Sequence, residues 1–98
     1  MKGVLSMEKN NSADRLFEAV LALKDKEECY KFFADACTPK EIQAIAQRYN
    51  VAKMLYNKAV YSEIIEATGA STATISRVAR SINEGYKMVF ERLKQENE

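Results

Sequence analysis

Residues 61–85 read YSEIIEATGASTATISRVARSINEG, and the fold turns on them. A short apolar segment runs to Thr68. Gly69 follows, the residue type that supplies the positive φ of a helix stop. Ser71 then offers a hydroxyl to the free N–H groups of a new first turn. Beyond it Ile75, Val78, Ala79 and Ile82 recur at i, i+3, i+4 and i+7, the spacing of one buried helical face. A second helix is therefore predicted after Ser71, stopping at Gly85. Two helices around a glycine turn form a helix-turn-helix.

The complementary face of that second helix carries Thr72, Ala73, Ser76, Arg77 and Arg80, with Thr74 beside them. Hydroxyls and guanidinium groups can donate to base edges or phosphate oxygens, and an alanine methyl can meet a thymine methyl. The first residues of such a helix are the ones that enter a major groove. A purely structural helix has little reason to open with Ser-Thr-Ala-Thr before two arginines. The stretch is not locally basic, because Glu63, Glu66 and Glu84 accompany Arg77 and Arg80. The alternative is a solvated face on a packing helix.

Upstream, Thr38-Pro39-Lys40-Glu41 is a capping box with proline at the first helical position. The helix it opens meets no glycine or proline before Gly69. Ile42, Ile45, Ala46, Tyr49, Ala52, Leu55, Tyr56 and Ala59 form its main stripe, widened by Val51 and Met54, and it is expected to end near Ala59 as a central strut. Between Thr38 and Val60 four cations, Lys40, Arg48, Lys53 and Lys58, face one carboxylate, Glu41. Lys53 and Lys58 are candidate phosphate contacts.

Towards the N-terminus, residues 1–11 are polar and read as a flexible arm, leaving a single domain over residues 12–95. Ser12 can cap a first helix with Asp14 in its first turn. Leu16, Phe17, Val20, Leu21 and Leu23 are apolar on more than one side, which calls for more than one neighbour. Asp25-Lys26-Glu27-Glu28 opens a second helix anchored by Cys29, Tyr30, Phe32, Phe33 and Ala36. After Gly85, Tyr86, Val89, Phe90 and Leu93 mark a last amphipathic helix, with QENE fraying behind it.

The 98 residues make one small all-α domain, with no strand pattern and only three glycines and one proline. A hydrophobic content of 47% is generous for this length, so part of the apolar surface is expected to lie against a partner subunit. The net charge of +1 means that DNA affinity must come from where the charges sit. There is no histidine, and Cys29 and Cys37 stand eight apart, which is neither a zinc spacing nor a redox motif. Both are expected to be buried free thiols. No metal or cofactor is expected. The start, MKGVLSMEKN, has no apolar run of secretory length, and no segment is apolar enough to span a membrane, so a cytoplasmic protein is expected. With no phosphate-binding loop and no nucleophile–base pair, an enzyme is not expected.

CTPKEIQAIAQRYNVAKML followed by TGASTATISRVARSIN resembles the tryptophan-repressor superfamily, and within it the YerC/YecD-like branch. The resemblance runs from about Ser12 to Leu93 and is sharpest at Thr38-Pro39 and from Gly69 to Arg77. It implies a six-helix subunit in an intertwined homodimer. It also implies a corepressor pocket falling on Thr38, Arg48, Arg77, Val78 and Ser81. Four of these keep the repressor's residue type, whereas Val78 stands where the repressor has glycine. Ile65 stands about where the repressor places a phosphate-binding lysine. The expected function is a homodimeric, sequence-specific transcriptional regulator, a repressor acting on a palindromic operator. The alternative, which the near-neutral charge favours, is a helical protein-interaction module that keeps the fold without binding DNA.

Overall fold

The computed structural model describes residues 9–97 of the chain, all helices and connections. The expected arm over residues 1–11 falls mostly on residues 1–8, which lie outside the described residues. Six helices follow: α1 (Asn11–Ala22), α2 (Lys26–Ala36), α3 (Pro39–Tyr56), α4 (Tyr61–Thr68), α5 (Thr72–Ser81) and α6 (Glu84–Asn97). They fall into two units divided between Thr38 and Pro39.

In the N-terminal unit, α1 is capped by Asn10 rather than Ser12. The Asn10 carboxamide oxygen accepts from the Ala13 N–H at 2.8 Å on an extended backbone. Asparagine caps at least as well as serine, and capping two residues earlier adds Asn11 and Ser12 to the helix. The helix expected to open at Asp25-Lys26-Glu27-Glu28 is capped by Asp25, its carboxylate accepting from the Glu28 N–H at 2.9 Å. Neither helix holds a buried residue. Leu21 is 84% exposed and Tyr30 79% exposed, and Leu16 and Phe17 are also open. Phe32 and Phe33 meet edge to face at 5.1 Å and are half-buried. The expectation of buried thiols fails for the same reason. Cys29 is exposed on α2 and Cys37, the residue that ends it, is half-buried; both are free, and that helix holds no buried residue.

The second unit packs α4, α5 and α6 around α3. Its core is Val51 and Ala52 from α3, Ile64 from α4, Ala70 from the turn, Ile75 and Val78 from α5, and Phe90 from α6. Tyr49, Tyr56 and Tyr86 gather round Phe90, with Tyr86 stacked on it at 5.7 Å and 3°. The α3 stripe splits in two: Val51 and Ala52 are buried, while Ile45 and Ala46 face outward. The strut thus serves this core only through its C-terminal half.

Three helix ends differ from expectation. α3 stops at Tyr56, not Ala59, through a two-bond cap in which Lys58 N–H meets Leu55 C=O and Ala59 N–H meets Met54 C=O, both at 3.0 Å. The left-handed residue of that cap is Lys58, with φ 69°, so no glycine marked it. α5 stops at Ser81, because Ile82 turns extended (φ −72°, ψ 114°) and stays half-buried against the core. Gly85 lies inside α6, not at a helix stop, and only Gly69 among the described glycines has a positive φ. α6 runs on through Gln95 and Glu96 to Asn97, where QENE was expected to fray. Ala79, assigned to the buried face of α5, is exposed.

The left-handed lysine yields a stability prediction. A non-glycine residue pays about 1–2 kcal/mol for that backbone, part of which glycine returns as unfolded-chain entropy. Lys58→Gly is therefore expected to stabilise by about 1 kcal/mol and raise the thermal midpoint by several degrees. An unchanged or lower midpoint contradicts this account of the cap.

Candidate nucleic-acid interface

The turn between α4 and α5 is held from three sides. Gly69 sits in the left-handed region (φ 73°, ψ 5°), and its N–H donates to the Ile65 carbonyl at 2.8 Å. Thr68 Oγ1 donates to the Ile64 carbonyl at 2.7 Å and accepts from the Ala70 N–H at 3.1 Å. From α3, the Gln47 amide donates to the Thr68 carbonyl at 3.1 Å. Ala70 is buried, so the turn is also pinned to the core. Ser71 then caps α5 as expected, its Oγ accepting from the Thr74 N–H at 3.1 Å.

This frame sets the candidate residues. Thr72 and Ala73 are exposed at the start of α5, and Arg77 and Arg80 are exposed one and two turns further on. Ser76 is half-buried on the same helix. Thr74 is also half-buried, and its Oγ1 accepts from the Ser71 hydroxyl at 3.1 Å, so it is turned inward. Lys53 is exposed near the end of α3, and Lys58 is exposed in the turn that follows. None of Arg77, Arg80, Lys53 and Lys58 is in an ion pair among the described residues. The free N–H groups and positive dipole end of α5 add to the same side. Exposed cations without carboxylate partners are suited to phosphate.

Behind α5 lies a cavity of about 90 Å³ lined by Arg48, Thr74, Arg77, Val78, Ser81 and Tyr86. Four of the five residues matched to the corepressor pocket therefore come together; the fifth, Thr38, belongs to the N-terminal unit. Val78 is 4% exposed and serves both core and cavity wall. The Ser81 hydroxyl donates to the Arg77 carbonyl at 2.9 Å. Arg48 and Arg77 meet here with no carboxylate between them. A dry apolar cavity of about 150 Å³ takes a benzene ring, and at about 90 Å³ this one is smaller than that.

Thr74 and Tyr86 line the cavity without a sequence signal for it. Tyr86 shares its helical stripe with Val89 and Phe90, a pattern that says core. Its place in the wall follows from α6 starting at Glu84, which the misleading Gly85 concealed. Gln47 and Tyr61, which brace α4 and the turn, left no signal, because a polar residue on a long helix ordinarily faces water.

Comparison with known proteins bears on this geometry. The family model of the Trp repressor protein matches residues 11–97. The uncharacterized protein YerC of Bacillus subtilis is 54% identical over 85 residues, spanning 84% of this chain and 82% of YerC. Among solved structures, a TrpR-like protein from Eubacterium eligens is similar with a TM-score of 0.85 at 54% identity, over 88% of this chain and 92% of that one. A candidate Trp repressor from Staphylococcus aureus has a TM-score of 0.84 at 46% identity, over 91% and 96%.

Proposed function

The chain belongs to the Trp repressor protein family, and on that footing we propose that it is a sequence-specific DNA-binding transcriptional regulator. It acts as a repressor, in the cytoplasm where its duplex is, and as a homodimer on a palindromic operator. One observation carries the reading: α5 begins with exposed Thr72 and Ala73, followed by exposed, unpaired Arg77 and Arg80, on a helix locked at its turn. Thr72, Ala73, Ser76 and Arg77 read base edges, and Arg80, Lys53 and Lys58 hold phosphates. The family is one of regulators rather than enzymes. Among the described residues no helix is long and apolar enough to cross a membrane.

Fluorescence anisotropy of a labelled duplex across a salt series tests this. If the cations of both protomers displace counterions, log K falls against log salt with a slope between about −4 and −7. A flat response favours the protein-interaction module that the net charge of +1 also suits.

The dimer is supported by α1 and α2, which hold no buried residue and leave Leu16, Phe17, Leu21 and Tyr30 open to water. Two helices without a core cannot offset the entropy of ordering them, so the second copy completes the fold. Sedimentation at micromolar concentration is expected to give a dimer, and a folded monomer there contradicts it.

The repressor's ligand is not expected to carry over. Val78 places a branched side chain where glycine would leave room, and the remaining cavity is about 90 Å³. Forcing an indole in costs at least the 1–3 kcal/mol or so of overpacking. Calorimetric titration with L-tryptophan is expected to give no heat and no change in DNA affinity. Micromolar binding that sharpens operator affinity contradicts this, and Val78→Gly is the variant expected to reopen the space.

A further inference from the structure

Three hydroxyl side chains on α4 and α5 invite comparison. Thr68 and Ser81 each bond back to the carbonyl four residues earlier in their own helix, at 2.7 and 2.9 Å. That is a common resting place for a helical hydroxyl. Ser76 departs from it. Its Oγ lies 3.4 Å from the phenolic oxygen of Tyr61, the first residue of α4, so the pair reaches between the two helices.

Two hydroxyls carry two protons. Whichever way the mutual bond runs, it uses one. Among the described residues neither oxygen has a second partner. Tyr61 is 39% exposed and Ser76 half-buried, so the remaining O–H is at the surface. Ser76 sits one turn from both Thr72 and Arg80, on the side of α5 already assigned to DNA. Glu63, two residues beyond Tyr61, turns its carboxylate back to the Val60 N–H, which donates to it at 3.1 Å. A duplex presents only acceptors at phosphates and at guanine N7 and O6.

We propose that Tyr61 belongs to the DNA-reading surface, paired with Ser76 as a coupled hydroxyl donor to a base-edge or phosphate acceptor. The proposal rests on the DNA-binding reading above. In the pair as proposed the Tyr61 O–H donates to Ser76 Oγ, which leaves the Ser76 O–H to donate to the duplex and holds its oxygen in place. Tyr61 is then a positioning residue, because it acts through Ser76.

The test is selection from randomised duplexes with the full chain, followed by affinity measurement on the enriched sequence. Wild type, Tyr61→Phe, Ser76→Ala and the double variant are compared. Tyr61→Phe keeps the ring and is expected to weaken binding about three- to tenfold, the worth of a neutral hydrogen bond. It is also expected to relax the preference at one position per half-site, which a merely structural role would not move. The double variant is expected to lose no more than Ser76→Ala alone, since the two act as a unit. Should Tyr61→Phe lower the thermal midpoint, affinity and preference are compared at a temperature where both proteins are fully folded. A wild type that enriches a motif while Tyr61→Phe keeps its affinity and preference overturns this inference alone. A wild type that enriches nothing overturns the DNA-binding reading and this inference with it.

Discussion

Replacing Arg77 and Arg80 together with alanine is expected to weaken operator binding by about a thousandfold or more while leaving the fold intact. A guanidinium on a base edge or phosphate is worth about 1–3 kcal/mol, and the double variant removes two per protomer. Both side chains are exposed on α5 and neither is in an ion pair among the described residues, so stability should move by less than about 0.5 kcal/mol. The singles separate the roles. Arg77 is expected to read a base, so Arg77→Ala should relax preference at one position. Arg80 is expected to hold phosphate, so Arg80→Ala should weaken all sequences alike and reduce the salt slope. Arg77 also lines the cavity and Arg80 does not, so a loss confined to Arg77→Ala would point to the cavity rather than the groove. Unchanged affinity in the double variant ends the docking scheme.

Phe90→Ala is expected to destabilise the protein by about 3–5 kcal/mol, a large part of a small domain's stability. Phe90 is 4% exposed and is the buried anchor of α6 among the described residues. Its ring centroid lies 5.1 Å from that of Tyr56, 5.5 Å from Tyr49 and 5.7 Å from Tyr86. Removing it leaves a void beneath three aromatic rings and frees Tyr86, which walls the cavity. Urea denaturation at fixed protein concentration measures the loss, since the stability of a dimer depends on concentration. A cost below about 1 kcal/mol would mean that α6 is held elsewhere.

The helix-turn-helix was legible because its signals are local and chemical. Gly69 needs its positive φ, Ser71 its N–H acceptor, and Ile75 and Val78 their shared face, and each is met within four residues. The helix ends were harder. Lys58 adopts the left-handed backbone that glycine usually marks, and Gly85 is a glycine with nothing left-handed to do. Apolar periodicity found the faces but not their partners. Cys29 and Leu21 have the spacing of core residues and lie open, because no element of their own unit covers them. The cavity was approached through the family resemblance, which named Arg48, Arg77, Val78 and Ser81. Thr74 and Tyr86 depend on tertiary packing that no local pattern encodes. The link from Tyr61 to Ser76 spans 15 residues and joins two helices, so it too could only be seen in the fold.

The most direct test of a dimer reading a palindrome is genomic footprinting of the tagged protein at base resolution. The account predicts discrete protected sites sharing an inverted repeat, with half-sites about 34 Å apart, one turn of duplex. Occupancy indistinguishable from an untagged control, or spread without a shared motif, would contradict it.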